Sequence, residues 1–180
     1  MGYRDIHNYS GGFKIFVHMI YVMKQKLLKR VFKKSWLKKS LDATKRLHDC
    51  LEKSAAPEEV KMLIEAGADM SMDDNYGRGL TALDLAARNN KNPEVIRILI
   101  EAGSGLLARG RYGMSPLMYA AESNENPEIL RVLIEAGSDV NEKSRFGFTP
   151  LMYAAYSNKN PEVLNALIKA GADVNGKSSD

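Results

Sequence analysis

SPLMYAAESNENPEILRVLIEAG (Ser115–Gly137) decides the fold, because the chain writes nearly the same line again on either side of it. TALDLAARNNKNPEVIRILIEAG begins at Thr81 and TPLMYAAYSNKNPEVLNALIKAG at Thr149, so the starts recur every 34 residues. Upstream, KRLHDCLEKSAAPEEVKMLIEAG from Lys45 aligns without a gap, setting Leu47 over Leu83 and Pro57 over Pro93. The first spacing is 36 because the link ADMSMDDNYGRGL carries two extra residues. A fixed period of this length is the signature of a stacked repeat architecture.

Each unit reads as two helices and a turn. Thr or Ser starts a short first helix with Leu and paired Ala on one side. The Asn-Pro pairs Asn92-Pro93, Asn126-Pro127 and Asn160-Pro161 then start a second helix. Asn caps a helix well, and Pro suits the first helical position, where its missing N–H costs nothing. Glu94, Glu128 and Glu162 follow at the positive end of the helix dipole. Apolar residues recur at helical spacing, as in Ile129, Leu130, Leu133 and Ile134. Gly67, Gly103, Gly137 and Gly171 close the second helices, where a left-handed residue is needed.

T-P-L-x-x-A-A followed by a helix ending L-I-E-A-G-A-D-V-N resembles the ankyrin repeat. The resemblance covers roughly residues 43–180 in four units, about 43–78, 79–112, 113–146 and 147–180, with residues 1–42 as a basic extension. It implies an all-α ankyrin-repeat solenoid with turn or hairpin links. A tetratricopeptide array has a similar period, but its Trp, Leu-Gly and Tyr signature is missing. The helix–helix loop is one residue longer than the family's usual one. The usual His of T-P-L-H is Asp84, Met118 or Met152 here, so its backbone hydrogen bonds must be lost or replaced, with Met adding packing. Stacked units share one continuous core and need protection at the ends. Lys45, Arg46, His48 and Asp49 read as an exposed cap on the first unit; the last keeps Leu164 and Leu167 beside polar Asn165 and Lys169.

Charge is unevenly spread. Of the 26 Lys/Arg and 22 Asp/Glu, residues 1–50 hold 12 and 3. The chain therefore has a basic head and a mildly acidic body. In the head, Ile20, Leu27, Leu28, Val31 and Phe32 share one helical face and Lys26, Lys29, Arg30, Lys33 and Lys34 the other, a basic amphipathic helix. Three readings stand: a cap on the first unit, an anionic membrane surface bound through residues 20–39, or else contact with nucleic acid or an acidic protein, or a disordered tail. Nucleic acid ranks last as a partner. The apolar run Ile15–Met23 is too short to span a membrane, and its charges follow it rather than precede it, against a signal peptide. Cys50 is the single cysteine, which excludes an internal disulfide and fits a cytoplasmic setting.

Catalytic patterns are sparse. GADVNGKS (Gly171–Ser178) satisfies the phosphate-loop pattern letter for letter, but a phosphate loop follows a strand and opens a helix. Here the match follows a helix, and its counterpart one unit earlier, GSDVNEKS, lacks the decisive glycine. It is read as coincidence. His7, His18 and His48 share no metal-ligand spacing with one another or with Cys50. Cys50 aligns with Ala86, Ala120 and Ala154, as a packed thiol would. The reading is therefore a protein-binding scaffold without catalysis, cofactor or metal. A peripheral membrane protein is the alternative, and an enzyme stands third.

In the family the resemblance names, partners contact the turn tips and the exposed positions of the first helices. Carried to this chain, those positions are Tyr76 and Arg88 in unit two; Arg109, Arg111, Tyr112, Met114 and Glu122 in unit three; and Lys143, Arg145, Phe146, Phe148 and Tyr156 in unit four. Tyr76, Tyr112 and Phe146 precede turn glycines, either as a contact surface or as rings stacked along the turns. Four basic tip residues favour an acidic segment on the partner.

Overall fold

The structure is a computed structural model, described here for residue 35 and for residues 37–72, 79–110 and 112–178. The basic face of the head (Lys26, Lys29, Arg30, Lys33, Lys34), Tyr76 and Arg111 lie outside the described residues. The chain divides into two compact units, Met1–Lys39 and Ser40–Asp180. In the second, helix α1 covers residues 40–52. It is followed by α2 (Pro57–Glu65), α3 (Ala82–Asn89), α4 (Pro93–Glu101), α5 (Pro116–Ser123), α6 (Pro127–Glu135), α7 (Pro150–Ser157) and α8 (Pro161–Lys169). Among the described residues every regular element is a helix. This is the all-α solenoid expected from the repeat.

Two rows of helices run through this unit. In one, α5 packs between α3 and α7; in the other, α2, α4, α6 and α8 follow one another, and each hairpin closes across the rows. The first row packs closely because Ala86, Ala120 and Ala154, all fully buried, stand where it is tightest. The core runs between the rows through Leu47, Leu83, Leu99, Leu117, Leu133 and Leu167, each fully buried. In unit four Leu151, Met152, Tyr153 and Leu164 are partly exposed.

Local chemistry sets each helix end. Thr81, Ser115 and Thr149 accept from the backbone N–H of Asp84, Met118 and Met152 at 3.3–3.4 Å. Asn92, Asn126 and Asn160 accept from Glu94, Glu128 and Glu162 at 3.0 Å, with proline next in line. At the other end Gly137 adopts φ +104°, so that its N–H reaches Ile134 O at 2.9 Å and the N–H of Ser138 reaches Leu133 O at 3.0 Å. These bonds satisfy carbonyls that the helix leaves open, at a dihedral only glycine adopts cheaply.

The longer loop carries a second asparagine, and this one joins the units. Asn124 is buried; its Nδ2 donates to Ala87 O and Asn90 O in the preceding unit at 2.9 and 2.8 Å. Its Oδ1 accepts from the N–H of Asn126 at 3.0 Å. Asn158 repeats the arrangement on Ala121 O and Asn124 O, and Asn90 begins it on Ala55 O. Asn126 and Asn160 add bonds to Lys91 O and Glu125 O, both at 2.7 Å. The single long-loop insertion is thus a hydrogen-bonded ladder through the stack.

At the T-P-L-H position, Asp84 is fully buried and accepts from the N–H and Oγ1 of Thr81 at 2.9 and 2.8 Å. Met118 is fully buried and Met152 partly so. The expected exposed cap needs correcting at one residue. Lys45 and Arg46 are exposed, but His48 is 1% exposed because it stands at the register of Asp84 and points inward with Leu47 and Leu51. Cys50 is half-buried, and burial pushes its thiol up from 9.0 to about 11, away from the reactive thiolate.

Candidate functional site

The turns between units stand at the end of the hairpins opposite the asparagine ladder. In units three and four each is closed by two backbone bonds: Gly110 N–H to Met114 O at 3.0 Å and Gly113 N–H to Gly110 O at 2.8 Å, then Ser144 N–H to Phe148 O and Gly147 N–H to Ser144 O, both at 3.0 Å. Gly113 and Gly147 take φ +70° and +72°. A side chain at Gly113 would also meet Arg145 Cγ at 2.8 Å, so the position demands glycine twice over. The N–H of Arg145 donates to Tyr112 O at 3.1 Å, tying one turn to the next.

Gly79 has φ +68° two residues before the cap of α3, where Gly113 and Gly147 stand before theirs. Gly79 thus takes the same backbone conformation as the turn glycines Gly113 and Gly147.

Tyr112 and Phe146 lie 5.9 Å apart with their rings tilted by 37°, and both stay about half exposed, at 51% and 55%. The rings touch and still face outward. Behind them Phe148 packs on Tyr153 at 5.5 Å. Tyr153 Oη donates to Ser144 Oγ at 3.1 Å. With Met114, Glu122 and Tyr156 these side chains line one open groove of about 400 Å³ between units three and four. Tyr156 is 85% exposed.

The groove thus brings together Tyr112, Met114, Glu122, Phe146, Phe148 and Tyr156 from the expected contact set. Tyr153 is the member that the sequence reading missed. Its counterpart Tyr119 is buried, with its Oη against Gly110 and its phenol pushed up to about 12 by burial and the nearby Asp84 and Glu122. A shared motif therefore gave no reason to expect a surface role for Tyr153.

The cations of the set are placed differently. Arg109 is held within the array: its guanidinium meets Glu142 Oε2 at 2.7 Å and donates to Leu106 O and Ala108 O at 3.2 and 3.0 Å. Ser115 Oγ donates to the other oxygen of Glu142. Burial raises the Glu142 carboxyl above its ordinary range, and Arg109 opposes the shift. Lys143 Nζ reaches Lys177 O at 3.1 Å, and Arg145 is exposed at the tip. Arg88 shares with Glu122 a second, polar recess toward Ser157 and Lys159.

The phosphate-loop pattern is split by the fold. Gly171 is the closing glycine of α8, at φ +93°, and residues 172–178 hold one turn at 174–175 and open no helix. Among the described residues no group of three or more His, Cys, Asp or Glu could hold a metal ion, and no helix is long and apolar enough to cross a membrane.

Antiparallel helix pairs stacked in register, with an aromatic groove open at their turn side, define a solenoid protein of the interaction class. The family described as Ankyrin repeats (3 copies) matches residues 47–144 and 112–178, and the chain belongs to it. No curated protein matches the chain. Ankyrin repeats are in general protein–protein interaction modules and typically not enzymes.

Proposed function

We propose that this protein binds a protein partner along the groove between units three and four and works as a scaffold without catalysis. One observation carries the reading: Tyr112 and Phe146 expose about half of their surface beside Phe148, Tyr153 and Tyr156. Exposed aromatic rings gathered in a concavity are the kind of surface that binding desolvates with large gain. The partner passes the turn tips on one side of the groove, where Arg145 and Lys143 favour acidic residues on it.

The test is the double variant Tyr112→Ser and Phe146→Ser. The ring pair is surface-exposed, so its loss costs roughly 0.5–1.5 kcal/mol of stability. Binding of a partner recovered by affinity capture on residues 1–180 should fall at least tenfold, by roughly 1.4 kcal/mol or more, while the circular dichroism spectrum is retained. Undiminished affinity in the folded variant would reject the groove.

A further inference from the structure

The groove has a chemistry that its apolar lining alone does not convey. Among the described residues of its wall Glu122 alone is charged; the others are Met114 and five aromatic rings. Among the described residues no cation forms an ion pair with Glu122, and Arg88 lines with it the adjoining polar recess. Glu122 lies on the C-terminal half of α5, one unit before Tyr156 in register and away from the basic tips. A carboxylate flanked by rings and without an ion pair among the described residues is complementary to a cation that also stacks on aromatic faces.

Resting on the groove as the partner site, we propose that its occupant is a basic-apolar segment of a partner protein that seats an arginine side chain against Glu122 and the surrounding rings. Arginine fits better than lysine for two reasons. Its planar guanidinium stacks on Tyr and Phe faces and pairs a carboxylate through two parallel bonds, and it is more weakly hydrated than an ammonium. An acidic anchor in the groove would instead meet Glu122 with like charge; acidic residues belong outside it, toward Arg145.

Random dodecapeptides displayed on phage and selected on the full chain test this directly. The selected peptides should share an arginine next to an apolar residue. A synthetic selected peptide should lose roughly tenfold to a hundredfold in affinity when that arginine becomes citrulline, its neutral isostere. Glu122→Gln should abolish the preference for arginine over citrulline while leaving the fold intact, since its carboxylate holds only a long 3.5 Å bond from Ser123 Oγ.

Peptides that need Tyr112 and Phe146 but carry no shared arginine, or that tolerate citrulline within about twofold, overturn the arginine and leave the groove standing. So does a preference that survives Glu122→Gln. Peptides that bind the Tyr112→Ser, Phe146→Ser variant as tightly as the native chain, or a library that yields no binder dependent on those rings, overturn both readings.

Discussion

Replacing Asn124 by alanine should remove a rung from the middle of the stack at a cost far above that of an ordinary surface polar residue. The amide makes three bonds: to Ala87 O at 2.9 Å, to Asn90 O at 2.8 Å, and from the Asn126 N–H at 3.0 Å. At 3% exposure water cannot readily replace them. Each bond contributes about 1 kcal/mol net, and a buried partner left unsatisfied adds to that, so the loss should be about 3–5 kcal/mol. Asn158 makes the same three bonds at 2.9 Å, but on the partly exposed last unit. There solvent substitutes, and alanine should cost only about 1–2 kcal/mol. Urea unfolding followed by far-ultraviolet circular dichroism measures both. Asn124→Asp separates a ladder from a purely local loop role. Aspartate keeps the oxygen that accepts from Asn126 but turns its other oxygen toward two carbonyls, so it should be at least as harmful as alanine. An Asn124→Asp variant close to native stability, or Asn158→Ala costing as much as Asn124→Ala, would refute the ladder.

Two further outcomes follow from the turn side. Gly110→Ala should destabilise by about 1–3 kcal/mol, because a Cβ there collides with Tyr119 Oη and comes within 3.2 Å of Cζ; combination with Tyr119→Phe, read by thermal melting, should recover part of the loss. Glu142 should make stability fall with rising pH. Its folded-state pKa is raised above the ordinary 4.5, mainly by burial and also by Asp139, against Arg109. The fold therefore favours the protonated form, and this contribution is complete below 4.5 and lost as pH climbs through the folded value. Native minus Glu142→Gln stability should decline over that window and then level off, and Arg109→Ala should extend the decline to higher pH. A flat difference from pH 4 to 7 would contradict the burial argument.

Much of this was legible in the letters. The period, the Thr/Ser and Asn-Pro starts, the closing glycines and the core leucines all follow from local rules repeated in register, and repetition removes ambiguity that one copy would leave. What stayed hidden depends on the neighbouring unit. Asn124 bonds to carbonyls 34 and 37 residues earlier, and Arg109 pairs with a glutamate 33 residues later; no local pattern announces such partners. His48 was misjudged because a polar residue in an apolar column suggests an exposed cap, whereas its register with Asp84 makes the position polar and buried. Tyr153 differs from Tyr119 in having no following unit beside it among the described residues and in meeting Ser144 where Tyr119 meets Gly110.

The arrangement separates what holds the array from what it offers. Units are joined at the loop end by asparagine rungs and between the helix rows by the buried Leu and Ala, and both are satisfied without the turn-side rings. Tyr112 and Phe146 gain only a tilted ring contact from each other, worth about 0.5–1.5 kcal/mol beyond the area they cover. A sequence needing only a stable turn could place small polar residues there at little loss. Rings kept half exposed beside a carboxylate that no cation pairs with among the described residues cost solubility and return little to the fold. That imbalance is the physical ground for treating this side of the stack as a recognition surface, and it is why the serine variants should strike binding before they strike stability.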